Sequence, residues 1–220
     1  MFITFEGPEG GGKTTQIRLL ADWLRDQGCD VITTREPGGT RIGDAVRAIL
    51  LDPEHVEMQP QAEILLFSAA RAQIVGEVIR PHLARGGVVL CDRFADSTLA
   101  YQGYGRELDL GALRMITSFA TGNLTPELTI CLDLPVLDGL RRKQGGDTAE
   151  WNRMEREERE FHERVRAGYL ALASASSERW LVVDARQSIE QVQEKIRTRV
   201  RQIMPDHQLM LDGPQEDPTQ

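Results

Sequence analysis

Gly7-Pro8-Glu9-Gly10-Gly11-Gly12-Lys13-Thr14 satisfies the pattern G-x-x-x-x-G-K-[ST], a spacing suited to binding a nucleoside triphosphate. Glycines carry no Cβ, so successive backbone N–H groups can close on phosphate oxygens, and a helix opening behind them adds partial positive charge. In that arrangement Lys13 reaches the β- and γ-phosphates and the Thr14 hydroxyl helps to hold Mg²⁺. The flanks are those the motif requires. Phe2-Ile3-Thr4-Phe5 reads as a buried strand before the loop, while Ile17, Leu20, Ala21 and Leu24 recur at helical spacing after it until Gly28 supplies a stop.

A phosphate loop identifies a bound nucleotide rather than a reaction, so a second set of groups is needed to tell a kinase from a switch. The chain has no N-K-x-D segment for guanine and no D-x-x-G segment for sensing a γ-phosphate, which argues against a GTPase. Arginines instead follow strand-like runs: Arg35 after the second, and Arg93, beside Asp92, after the third. A planar guanidinium suits bidentate contact with phosphate, and a site receiving both a triphosphate and a monophosphate needs several. Phe67 and Arg71 stand four apart on a helical pattern, hence on one face, as a ring for stacking and a donor for a base carbonyl. The same pair also suits a core aromatic beside a surface cation.

The elements that must hold these residues alternate. Val31-Ile32-Thr33-Thr34 is a β-branched run ended by Arg35-Glu36-Pro37-Gly38-Gly39-Thr40. Gln61 to Leu83 carries a long helical pattern, bent near Pro81, and Gly86-Gly87 separates it from Val88-Val89-Leu90-Cys91. Leu128 to Leu132 and Trp180 to Val183 are further strands, each between helical segments. Strands alternating with helices predict an α/β fold, a parallel sheet flanked by helices on both faces, with ligands at the carboxyl ends of the strands. From Gln144 to Arg164 glycines give way to a dense Arg/Glu run, and Pro205 to Gln220 reads as a flexible tail.

Composition bounds the rest. A chain of 220 residues without a linker-like break is one domain, and its net charge of −8 disfavours nucleic acid as a partner. Cys29, Cys91 and Cys131 are odd in number and unpaired in spacing, so free thiols in a reducing cytoplasm are expected. No leader pattern precedes the loop and no apolar run is long enough for a bilayer. His55, His82, His162 and His207 lack metal-ligand spacing.

The stretch Glu6 to Gln16, the segment Thr34-Arg35-Glu36-Pro37-Gly38-Gly39-Thr40, and Asp92-Arg93-Phe94-Ala95-Asp96-Ser97-Thr98 through Ala100-Tyr101-Gln102-Gly103 resemble thymidylate kinases of the bacterial type in motif, order and spacing. Leu128 to Leu134, Arg153-Met154-Glu155 and Val183-Asp184-Ala185 extend the resemblance over roughly residues 1–203. It implies a P-loop nucleoside monophosphate kinase with a lid over about 142–160, within a domain of residues 1–204. It further implies transfer of the γ-phosphoryl group of ATP to dTMP with Mg²⁺, and a homodimer. ATP would lie on residues 7–14 and Arg142. Arg35 and Arg93 would hold the acceptor phosphate, Phe67 would stack on thymine and Arg71 would reach its carbonyl. Ser97, Thr98 and Gln102 would line the base pocket, with Tyr101 where a ribose 2′-hydroxyl would go. Glu9 would sit by the 3′-hydroxyl and the metal region, and Asp92 would act on Mg²⁺ through water. Arg153 would serve the transferring phosphoryl group from the lid. The family commonly shows an acid before this arginine where this chain has Asn152, and Arg142 or Arg156 could share the task. A kinase for another nucleoside monophosphate or deoxynucleoside, or a nucleotide-dependent switch, remains the alternative on motif grounds.

Overall fold

The computed structural model describes residues 1–144 and 152–204. Five strands, β1 (Phe2–Glu6), β2 (Val31–Arg35), β3 (Val88–Asp92), β4 (Leu128–Asp133) and β5 (Trp180–Asp184), form one parallel sheet in the order β2-β3-β1-β4-β5. The predicted sheet and its strands are thus present, each running one residue or so further than its apolar run. Those extra residues are polar and matter most: Glu6, Arg35, Asp92, Asp133 and Asp184 all lie at the carboxyl edge.

Both faces of the sheet are covered, which explains the continuous apolar runs. On one face Ile3, Phe5, Leu90 and Ile130 pack under Leu20 and Leu24 of α1 (Lys13–Asp26) and Ile196 and Val200 of α9 (Ile189–Ile203). On the other, Phe2, Val89 and Cys91 meet Ile74, Val75, Ile79 and Phe94. Cys131 there joins a cluster with Phe161, Val165 and Tyr169 of α8 (Arg159–Ala175). Cys91 and Cys131 are buried free thiols, as expected, and Cys29 is half-buried.

The remaining helices begin where capping chemistry allows. Thr40 caps α2 (Arg41–Leu51), its hydroxyl accepting from the Gly43 N–H at 2.9 Å. Pro60 opens α3 (Pro60–Ile74) at a position where no N–H is needed. The bend expected near Pro81 instead takes the form of a π turn over Val75–Ile79, after which α4 (Arg80–Ala84) completes the rod. The proline ring would crowd the preceding turn and its nitrogen offers no hydrogen, so the helix widens ahead of it. A second π turn, Leu99–Gly105, follows the short α5 (Ala95–Thr98) and carries Tyr101 and Gln102. α6 (Leu110–Thr121), capped by Asp109, packs beside α3, and α7 (Val136–Gln144) follows β4. His82 and His162 are buried, and His55 is half-buried against the Ile49 carbonyl. His207 and the tail from 205 to 220 lie outside the described residues, as do residues 145–151 of the expected lid.

Candidate functional site

The loop after β1 owes its path to its glycines. Gly7 has φ +121° and Gly10 has φ +73°. A Cβ on Gly7 would stand 2.5 Å from the Leu132 carbonyl oxygen, and one on Gly10 2.6 Å from that of Gly139, so the loop lies directly on the β4 end and α7. Lys13, at the start of α1, is buried and donates to the carbonyls of Gly7 at 3.2 Å and Pro8 at 3.0 Å. Burial and the neighbouring Arg93 charge lower its ammonium pKa from the ordinary value. Thr14 Oγ1 lies 3.5 Å from Asp92 Oδ2. A hydroxyl and a carboxylate converging beside the loop are oxygen donors of the kind a hard divalent cation takes. Among the described residues no group of three His, Cys, Asp or Glu side chains forms a dedicated metal cage. The pair therefore fits Mg²⁺ held mainly by phosphate oxygens and water, the usual pattern for this cation. Arg142 of α7 donates to the Gly10 carbonyl at 3.3 Å and to that of Ala185 at 3.0 Å, bridging the loop to the residue after β5.

One cavity of about 360 Å³ runs from this loop across the sheet edge. Its wall includes Glu9, Gly10, Gly11, Gly12, Lys13 and Thr14, and opposite them Arg35, Phe67, Arg71, Asp92, Arg93, Ser97, Thr98, Tyr101 and Gln102. The residues singled out from three separate sequence segments therefore share a space. Adjacent parallel strands bring Arg35 and Asp92 into register, and Asp92 pairs with Phe5 on its other side.

Within the cavity the arginines differ. Arg35 is largely exposed at the rim and meets Asp44 at 3.5 Å. Arg93 has φ +69° and is largely enclosed, donating to Glu9 at 2.5 Å and to the Tyr169 hydroxyl at 2.9 Å, with its guanidinium 4.9 Å from the centre of the Tyr101 ring. Tyr101 also donates to Glu9, at 3.3 Å. One Glu9 oxygen is thus committed to Arg93 and Tyr101. Arg71 is 1% exposed and donates to Glu36 at 2.7 Å, Thr98 at 2.9 Å and the Phe94 carbonyl at 3.1 Å. Burial pushes the Glu36 carboxyl up to about 7 against the opposing pull of Arg71, and its Oε1 has no hydrogen-bond partner among the described residues.

Two of these wall residues, Ser97 and Gln102, are also engaged from behind, and Arg153 stands apart from the cavity. Ser97 lines the cavity, but its hydroxyl donates to Glu6 at 2.5 Å, behind Arg93, because the turn after β3 lays it against the end of β1. Gln102 is held by Glu63, donating to it at 2.9 Å. Arg153 is not on the cavity wall: it donates to the Leu50 carbonyl at 2.9 Å and pairs with Glu63 at 2.7 Å. Glu63 is fully buried and also pairs with Arg106 at 2.8 Å, and the low-dielectric surroundings strengthen its attraction for a nearby guanidinium.

Sequence reasoning missed Glu6, Glu36, Glu63 and Tyr169, and also Arg47, which lines the cavity and donates to the Pro37 carbonyl at 2.9 Å. Glu6 and Glu36 each adjoin a recognised motif, and a carboxylate closing a buried strand was a usable signal; Tyr169 and Glu63 sit on helices with nothing in their spacing to mark them.

The family model for thymidylate kinase matches residues 5–196. The thymidylate kinase of Roseiflexus sp. (strain RS-1) is 57% identical over 206 residues, covering 89% of this chain and 91% of its own. That of Geobacter sulfurreducens is 53% identical over 193 residues, covering 86% and 91%. The crystal structure of thymidylate kinase from Ehrlichia chaffeensis superposes with a TM-score of 0.73 at 32% identity, covering 91% of this chain and 98% of that one. The alternatives of another acceptor or a switch find no support in these relatives. With a glycine-rich phosphate loop and several arginines walling one cavity, the chain belongs to the thymidylate kinase family, whose reaction moves a phosphoryl group from ATP to dTMP to form dTDP.

Proposed function

We propose that the cavity binds ATP and dTMP end to end, with the donor phosphates on residues 7–14 and the acceptor in the lobe lined by Arg35, Phe67, Arg71, Arg93, Thr98, Tyr101 and Gln102. The single observation supporting this is that the glycine loop and the acceptor arginines wall one continuous space. Phosphoryl transfer requires little covalent chemistry from the protein; what it requires is in-line placement of two anions and compensation of the charge between them. Arg93 holds the acceptor phosphate from the interior and Arg35 from the rim. Lys13 transfers its hydrogen bonds from loop carbonyls to the β- and γ-phosphates. The acceptor oxygen is already ionised at neutral pH, so no general base is called for.

Phe67 stacks on the base, and Arg71 still has two N–H groups beyond the three engaged to offer its carbonyl. Tyr101 crowds the sugar and, with Arg93, orients the Glu9 carboxylate toward the 3′-hydroxyl. Their shared hold on Glu9 favours the sugar role over the metal role for that residue. Thr14 and Asp92 would hold Mg²⁺, whose charge, when bound, offsets that of the phosphates. Arg142 borders the donor nucleotide. Arg153 acts on the transferring group only after leaving Glu63, as part of a lid over about 142–160 in a domain of residues 1–204.

The chain works as a homodimer. Phe119, 90% exposed, and Met115, 71% exposed, stand one helical turn apart on α6, with exposed Leu65 on the adjoining α3, an apolar surface a second copy would cover. The buried free thiols of Cys91 and Cys131 support a cytoplasmic location, and no helix among the described residues is long and apolar enough to cross a membrane. Incubation with ATP, Mg²⁺ and a panel of nucleoside monophosphates, with the products separated, tests the acceptor assignment. dTDP should form fastest; a faster product from another monophosphate would overturn it.

A further inference from the structure

Arg93 lies in a conformation that side-chain-bearing residues seldom adopt, with φ +69°. Its backbone is pinned by an N–H bond to the Phe5 carbonyl at 2.9 Å. The guanidinium needs separate support, and that comes from behind. Nη1 donates to the Tyr169 hydroxyl at 2.9 Å and reaches Ser97 Oγ at 3.4 Å. Both hydroxyls in turn donate to one oxygen of Glu6, Tyr169 at 2.9 Å and Ser97 at 2.5 Å, while the other Glu6 oxygen accepts the Phe94 N–H at 2.8 Å. Glu6 and Tyr169 are fully buried, and neither lines the cavity.

A hydroxyl carries one proton. If that proton goes to Glu6, the oxygen can face a cation only with lone pairs, which is what Nη1 requires. We propose that Glu6 and Tyr169 are positioning residues for Arg93: the carboxylate polarises the Tyr169 and Ser97 hydroxyls so that they accept from the guanidinium and hold it toward the acceptor phosphate. The element placing Tyr169 is α8, so this support reaches Arg93 from a helix far along the chain. It rests on the reading that Arg93 binds the acceptor phosphate.

The test compares binding of dTMP with binding of thymidine, which has the same base and sugar but no phosphate, by titration calorimetry. Tyr169→Phe keeps the ring and removes the hydroxyl. It should weaken dTMP by roughly tenfold and leave thymidine within about twofold, since small errors in placing a binding group are costly. The same change in an Arg93→Ala background should have almost no further effect on dTMP, because the two act as one unit. Glu6→Gln should follow Tyr169→Phe, and it decides the matter if the tyrosine variant fails to fold. Equal weakening of dTMP and thymidine would indicate a merely structural role and overturn the inference, as would full additivity with Arg93→Ala. If Arg93→Ala itself leaves dTMP affinity unchanged, the acceptor-site reading falls and takes this one with it; if Arg93→Ala weakens dTMP and Tyr169→Phe does not, only the positioning role falls.

Discussion

Arg71→Met isolates the energetics of the buried ion pair at the end of the cavity proposed to hold the base. Arg71 and Glu36 are 1% and 3% exposed and meet at 2.7 Å. Removing one partner of such a pair strands the other charge and costs about 3–5 kcal/mol. The structure qualifies that figure. Burial already pushes the Glu36 carboxyl up to about 7, with Arg71 pulling it down. Without Arg71 it rises further, so at low pH the stranded group is simply protonated and the charge penalty disappears. A carboxyl whose folded pKa exceeds its unfolded one contributes stability below the unfolded pKa, and that stability is lost as pH rises through the folded pKa. The variant's folded pKa is the higher of the two, so its stability falls over a wider pH range and its deficit against the parent grows with pH. Urea denaturation of both proteins at about pH 5.5 and 8 should therefore give a loss near the upper part of the range at the higher pH and roughly half of it at the lower. Adding Glu36→Gln to Arg71→Met should recover part of the loss at the higher pH, since no charge is then left unpaired. A deficit independent of pH, or a double variant less stable than the single one, would refute the reasoning.

Other outcomes follow from the same geometry. Phe67→Ala should weaken dTMP binding by about 1–3 kcal/mol, the value of base stacking on an aromatic ring, and change kcat less; calorimetry and steady-state kinetics separate the two, and unchanged affinity removes Phe67 from the pocket. Burial pushes Glu6 up to about 7, above its unfolded value, so the parent should lose stability as pH rises from about 4.5 through 7, and Glu6→Gln should flatten that slope in denaturation curves. Arg153→Ala should lower kcat on the order of 10³-fold with little change in dTMP affinity. Near-normal kcat with reduced stability would leave Arg153 only the tie to Glu63 described above. Phe119→Arg places a charge on the proposed dimer face and should shift the protein to monomer in sedimentation; a dimer that persists sets that face aside.

Local order along the chain was enough to specify the sheet and the donor loop. A continuous apolar strand, glycines at fixed offsets, a lysine and hydroxyl opening a helix, and the repeat of Ile17, Leu20, Ala21 and Leu24 each report on neighbours within a turn or two, and backbone physics converts them directly into β1, the loop and α1. Strand ends carrying Arg35, Asp92 and Arg93 were legible for the same reason, because a parallel sheet delivers strand ends to one edge. What side chains do behind that edge depends on partners far away in sequence. Glu6 meets Tyr169 across 163 positions and Glu9 meets Arg93 across 84, so only packing decides that Ser97 turns to Glu6 and that Arg93 is braced from α8. Arg153 illustrates the same limit: its sequence context marks it as a cation of the charged run, and only tertiary structure sets it on Glu63, because a buried carboxylate attracts the nearest guanidinium.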